Sequence, residues 1–294
     1  MALPRLLFVT GKGGTGKSTI AAALAIAISR RRPVTLADLD RRLAAASILG
    51  VTLTGAAPAR VNDRLDVVAL SARAELESFI ERIVPVRAIS RRMLRSRTFG
   101  YVTAALPGLE AFLLMERLRM MAGDAALEDR AVVVDAPASG SALELLSIAR
   151  GVKGIAPAGT LGRLADNVQV FLGDRERFGV VLTVVPEELA LTEALESAAT
   201  LRERLGIAAV AAIVNRAPAA MFAAADLAAL ASIPRHVSLA ARRHDSHQFA
   251  AHARRELTAA GLRTIELPML YTAAIGAREV QTLSRALGAE LVEG

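Results

Sequence analysis

The chain has 294 residues, of which 53% are hydrophobic and 22% charged, enough apolar material for a large core and too much for a disordered chain. It contains no cysteine, which excludes disulfides, thiolate zinc sites, iron–sulfur clusters and a cysteine nucleophile. The net charge is +7, but the arginines that carry it are spread along the chain, so the excess reads as a solvated surface and not as a nucleic-acid stripe.

In chain order, the apolar run after Arg5 is too short for a signal peptide or a membrane span and reads as a first buried strand, Leu6–Thr10. A glycine-rich loop follows. Residues 18–30 then set Ile20, Leu24, Ile26 and Ile28 among alanines, the pattern of a buried helix. Val34–Leu39 and Leu65–Leu70 read as strands two and three. Ala131–Asp135 is a fourth, apolar throughout as a strand covered on both faces should be. Val180–Val185, Ala208–Val214 and Thr264–Leu267 complete the strands, with helical patterns over 187–204 and 276–292. Strands alternating with helices predict an α/β fold: a mostly parallel sheet with helices on both faces.

Residues 72–127 break the alternation. They show no strand and read as helices Ala74–Val84, Val86–Arg95 and Leu109–Met121. A helical subdomain inserted into a single domain spanning 1–294 is the expected organisation. The insertion holds four of the seven methionines, and Met-rich apolar helices suit adaptable recognition of hydrophobic segments; ordinary core is the competing reading. His244 and His247 stand one helical turn apart, but nothing nearby completes a metal set, and a polar helix face is expected. The C-terminal stretch Leu283–Gly294 is acidic and does not suggest a basic membrane anchor. A cytoplasmic location is expected, with peripheral membrane contact left open.

The chemistry begins at Gly11-Lys12-Gly13-Gly14-Thr15-Gly16-Lys17-Ser18, followed by Thr19. Gly11, four residues, then Gly16-Lys17-Ser18 is the phosphate-loop pattern, here between a strand and a helix. Its glycines let backbone N–H groups turn inward around a phosphate, and the following helix points its positive end at the same place. Lys17 is placed to reach the β- and γ-phosphates of ATP, Ser18 to ligate Mg²⁺, and the Thr19 hydroxyl to meet the α-phosphate. Two carboxylates, Asp38 and Asp40, close strand two at the carboxyl edge of the sheet, and Asp135 closes strand four. Asp135 is the candidate for holding the magnesium water shell.

Lys12, directly after the first glycine, adds a second feature. The loop resembles that of the deviant Walker A ATPases, which include the MinD and ParA partitioning ATPases and the arsenite-pump and tail-anchored-protein targeting ATPases. Further along, Asp135-Ala136-Pro137-Ala138-Ser139-Gly140-Ser141 resembles the second switch of the arsenite-pump branch, with Ser141 in place of its histidine. Pro186-Glu187 and Asn215-Arg216 resemble that branch as well. The resemblance implies a P-loop ATPase that dimerises around ATP, with a like chain or a related one. It implies that Lys12 crosses to the partner's nucleotide, that Asp40 (or Asp38) orients the attacking water, and that Asn215 with Arg216 reads the adenine. It also implies a hydrophobic or membrane-protein client docked on the helical insertion; a MinD/ParA-like positioning ATPase, or a weakly active subunit of a heterodimer, is the alternative.

The sequence departs from the branch in two places. Where the arsenite-pump branch has Asp-Pro-Ala, this chain has Asp40-Arg41-Arg42. Arsenite binding and the zinc clamp of the targeting dimer both use cysteines, so neither is expected here.

Overall fold

The computed structural model describes residues 3–40, 42–55, 57–83, 108–123, 129–229 and 234–292. The strands are β1 (Leu6–Gly11), β2 (Val34–Asp38), β3 (Ala59–Asn62), β4 (Leu65–Ala69), β5 (Ala131–Ala138), β6 (Phe178–Val184), β7 (Ala209–Ala217) and β8 (Thr264–Pro268). They form one sheet in the order β3-β4-β2-β5-β1-β6-β7-β8. Neighbours pair in parallel throughout, except β3, which runs antiparallel along β4 at the edge.

The described helices are α1 (Lys17–Ser29), α2 (Ala44–Ile48), α3 (Ala72–Ile83), α4 (Leu109–Gly123), α5 (Ser139–Ile155), α6 (Gly159–Gly173), α7 (Glu188–Ala199), α8 (Ala224–Ala229), α9 (Pro234–Ala259) and α10 (Ala277–Leu287). Two of them end in π-helical turns, α7 through Thr200–Leu205 and α10 through Gly288–Val292.

The two-residue period of the strands divides the core. From β1, Leu7 and Val9 face α1, α2 and α10, while Leu6 and Phe8 face the layer built by α3 to α7 and the end of α9. β5 divides the same way, with Val133 on the first face and Val132 and Val134 on the second. Both faces are covered, which explains the near-continuous apolar runs of the central strands. In α1 every residue from Ile20 to Ser29 is buried, and its alanines let it lie close to both β5 and α10.

The expected α/β architecture is present, with three differences in detail. β3 was not anticipated: it is four residues long, sits at the edge, and alternates Ala59 and Val61 with exposed Arg60 and Asn62 over too short a stretch to stand out as a strand. β5 continues past Asp135 to Ala138, because β1 runs on to Gly11 and pairs with it across a bulge. Pro137, which has no N–H to offer, instead accepts a 2.7 Å hydrogen bond from the Thr10 hydroxyl. β7 likewise runs through Asn215 and Arg216 instead of stopping before them. The helix expected at Val86–Arg95 lies outside the described residues. Among the described residues no helix is long and apolar enough to cross a membrane.

Candidate functional site

The glycine-rich loop leaves the carboxyl end of β1, the strand between β5 and β6, and turns into α1. Two glycines are demanded by space as well as by backbone angle. Gly11 has φ +154° and lies against β6, where a Cβ would stand 2.2 Å from the Thr183 carbonyl oxygen. Gly16 has φ +92°, and a Cβ there would stand 2.4 Å from the Asn215 amide nitrogen. Gly14 is left-handed too, at φ +86°, whereas Gly13 is neither crowded nor left-handed.

The loop is stitched from within. The Lys12 carbonyl accepts from the Thr15 N–H (3.3 Å), the Thr15 hydroxyl (2.8 Å) and the Lys17 ammonium (3.3 Å). The buried Thr15 hydroxyl also meets that of Thr183 at 2.7 Å, and Thr183 in turn donates to the Thr10 carbonyl. Thr183 was missed by the sequence reading. Its signal was present: one hydroxyl inside the apolar run Val180–Val185.

In front of the loop lies a cavity of about 530 Å³ lined by Gly14, Gly16, Lys17, Ser18, Thr19, Asp40, Asp135 and Arg216, among others. A second, of about 290 Å³, shares Thr19 and Arg216 with it and is walled by Asn215 and by apolar residues of the segment Pro268–Ile275. The polar cavity suits a triphosphate and the apolar one a planar ring. Asn215 is buried between loop and cavity. Its amide donates to the Thr15 carbonyl (2.9 Å) and accepts from the Arg216 N–H (3.0 Å), which uses one of its two N–H groups and one of its two lone pairs. Arg216 takes φ +57°, unusual for a residue with a Cβ, and thereby lines both cavities.

The three aspartates differ sharply. Asp38 is fully buried, and its two oxygens accept from the backbone N–H groups of Asp40 (3.0 Å) and Ala46 (3.1 Å). Burial raises its pKa, against those hydrogen bonds. It does not line the cavity. Asp40 does, and it is exposed; its Oδ1 accepts from the Arg42 N–H at 2.8 Å. Asp135 is 1% exposed, lines the cavity, and among the described residues neither carboxylate oxygen has a partner in full hydrogen-bond geometry, the Ser18 hydroxyl being the group that comes near it. Burial pushes its pKa up to about 7, the nearby Ser18 hydroxyl and the Lys17 charge work the other way, and the Asp38 and Asp40 carboxylates add to the rise. A buried carboxylate without a full hydrogen bond, beside a serine hydroxyl, fits a divalent cation that takes few protein ligands and fills its shell with water and phosphate, as Mg²⁺ does. Ser18 and Asp135 are the residues that would hold it.

Lys12 does not line its own cavity. Its ammonium lies 2.6 Å from the Glu193 carboxylate on α7. The helical insertion is also clarified in part. On α4, Phe112, Leu113, Leu114 and Met115 are buried in the main core, so these residues are core and not a docking face; Met120 is 40% exposed. Met93, Phe99, Tyr101, Val102 and Leu106 lie outside the described residues. His244 and His247 each bring Nδ1 to a loop carbonyl, of Phe222 (2.8 Å) and Pro218 (2.9 Å), the structural role expected of a polar helix face.

Residues 4–156 match the family model described as anion-transporting ATPase. The chain belongs to that family. It is 30% identical to ATPase BagA of Mycobacterium tuberculosis over 236 residues, 76% of this chain and 68% of that one. It is 28% identical over 152 residues to a Chlorobaculum tepidum protein named as an arsenical pump-driving ATPase, covering 49% of this chain and 35% of that one. This anion-transporting ATPase family member therefore hydrolyses ATP on the P-loop fold that its sheet displays.

Proposed function

We propose that this ATPase is a dimeric switch, in which ATP and Mg²⁺ bind between two subunits and hydrolysis reopens them. The observation that carries this reading is the orientation of Lys12: it belongs to the phosphate loop, yet its side chain does not line the cavity and instead reaches Glu193 on α7. A cation so placed is out of position for its own nucleotide and available to another. The partner is a second copy or a related chain.

Within each site, Lys17 neutralises the β- and γ-phosphates and Thr19 meets the α-phosphate, while the loop N–H groups from Gly11 to Gly16 cradle the chain of phosphates. Ser18 and Asp135 hold Mg²⁺, which supplies charge neutralisation. Asp40, exposed on the cavity wall, orients the attacking water; Asp38 holds the strand-to-helix turn that presents it. Asn215 and Arg216 take the base. The catalytic gain is electrostatic, from cations aimed at charge that shifts toward the leaving phosphate. The single-domain organisation over 1–294 with a helical insertion is part of the same proposal. Client contact belongs to the sequence between α3 and α4, which carries Met93, Phe99 and Tyr101.

The test is ATP turnover and ATP-dependent dimerisation of the purified chain. Lys17→Ala should lower turnover by about 10²–10³-fold. Lys12→Ala should retain nucleotide binding and lose both turnover and dimerisation. Turnover unchanged in Lys12→Ala would refute the shared-site reading.

A further inference from the structure

Glu193 does not line the polar cavity, yet it holds the side chain of a phosphate-loop lysine. It lies on α7, the helix that follows β6, and β6 is the neighbour of the strand that feeds the phosphate loop. Its carboxylate is 2.6 Å from the Lys12 ammonium, and the two side chains are 28% and 34% exposed, lysine first. The Lys12 backbone is not free to follow its side chain, because the Lys12 carbonyl accepts three hydrogen bonds from Thr15 and Lys17. Any reorientation of Lys12 is therefore a side-chain swing about a fixed Cα, and its starting point is the contact with Glu193.

We infer that Glu193 is a positioning residue for Lys12: it parks the lysine on its own subunit until a partner's nucleotide draws it away. This rests on the proposal that Lys12 serves the partner's site. The physical argument is a competition between two anions for one cation. The parked state offers one half-exposed carboxylate. The closed dimer offers a triphosphate, which carries more charge in a drier environment. A half-exposed ion pair is weak enough to be broken by that exchange, yet strong enough to bias the resting population. The pair also keeps an ammonium from standing unpaired on a surface where two like-charged loops must approach each other. With Lys12 parked, each subunit presents a neutralised pair there; releasing it is coupled to ATP arriving opposite.

The measurement is ATP turnover as a function of protein concentration, with dimerisation followed by sedimentation in a non-hydrolysable ATP analogue and Mg²⁺. Wild type, Glu193→Gln, Glu193→Asp and Lys12→Ala are compared. Glu193→Gln should shift the protein concentration for half-maximal dimerisation by about two- to fivefold, toward tighter assembly, because the parked state no longer competes. Glu193→Asp, which keeps the charge, should move back toward wild type. The shift should shrink in high salt, which a purely structural role for Glu193 in α7 would not do. Glu193→Gln indistinguishable from wild type while Lys12→Ala abolishes assembly would overturn the parking role and leave the shared-site reading intact. Weaker assembly in Glu193→Gln would overturn it as well, since Glu193 would then hold Lys12 in the closed state. If Lys12→Ala assembles and turns over normally, the shared-site reading fails first.

Discussion

At the scale of single residues, the informative feature is a carboxylate that harms the resting protein. Asp135 is buried, has no partner in full hydrogen-bond geometry among the described residues, and has its pKa pushed up to about 7 by burial, against the nearby Ser18 hydroxyl. In the unfolded chain the same group titrates near 4. Between those values the folded state holds a proton that the unfolded state releases, so stability falls as pH rises from about 4 to about 7 and then levels off. Three units correspond to about 4 kcal/mol at most, discounted by whatever relaxation lets water or a cation in. Asp135→Asn should therefore stabilise the metal-free protein at pH 8 while leaving it nearly unchanged at pH 4, and should abolish Mg²⁺-dependent turnover. Melting curves in EDTA at the two pH values check this: the wild-type midpoint should drop relative to the variant on raising the pH. A parallel pair of pH profiles would show that Asp135 is not the titrating group. The sequence pointed to Asp135 because it ends the apolar run Ala131–Asp135. The spacing alone admits either Asp38 or Asp40, since both stand at the end of the same strand, and the family resemblance is what favours Asp40. Only the fold reveals that Asp38 turns inward to cap two N–H groups and Asp40 turns toward the cavity.

At the scale of elements, the loop and the strands beneath it were readable to different degrees. The buried parallel strands announce themselves as apolar runs because both faces are covered, whereas β3, short and exposed at the edge, has no such run. The polar helix α9 likewise has no apolar stripe to betray its extent over Pro234–Ala259, and among its described side chains few, such as Ala253 and Leu257, belong to the core. The loop's glycines look alike in sequence and are unlike in space. Gly11→Ala would press a methyl group onto the Thr183 backbone at 2.2 Å, and backbone cannot step aside as a side chain can. Gly13→Ala meets nothing within 4 Å. We expect Gly11→Ala to lose about 1–3 kcal/mol of stability from overpacking and strain, and Gly13→Ala to fold like wild type. Denaturant midpoints at constant slope distinguish the two, and equal midpoints would mean that the β1–β6 contact is looser than its geometry.

At the scale of the whole molecule, the site lies where the two halves of the sheet diverge. From β1 the chain moves one way to β2, β4 and β3, and the other way through β6 to β7 and β8. Ligands of open α/β sheets sit at the carboxyl ends of the strands beside such a division. The wall of the polar cavity accordingly draws Asp40 and Asp135 from one half and Arg216 from the other, with the loop between them. A bound nucleotide therefore touches both halves of the sheet, which β1 and the helical layers on its two faces already hold in one core. Its effect on stability should be global and should follow its affinity: at a hundredfold excess over Kd, a ligand that binds only the folded chain adds about 2.7 kcal/mol. For a chain of this size that corresponds to a rise of roughly 4–5 °C in the melting midpoint. Mg²⁺ with a non-hydrolysable ATP analogue should produce that rise in wild type and in Lys12→Ala at low protein concentration, where each subunit stands alone. Lys17→Ala should show little of it, because its phosphate contacts are gone. A rise confined to high protein concentration would mean instead that nucleotide is held only when two chains close on it, which would make assembly, and not the loop of a single subunit, the binding step.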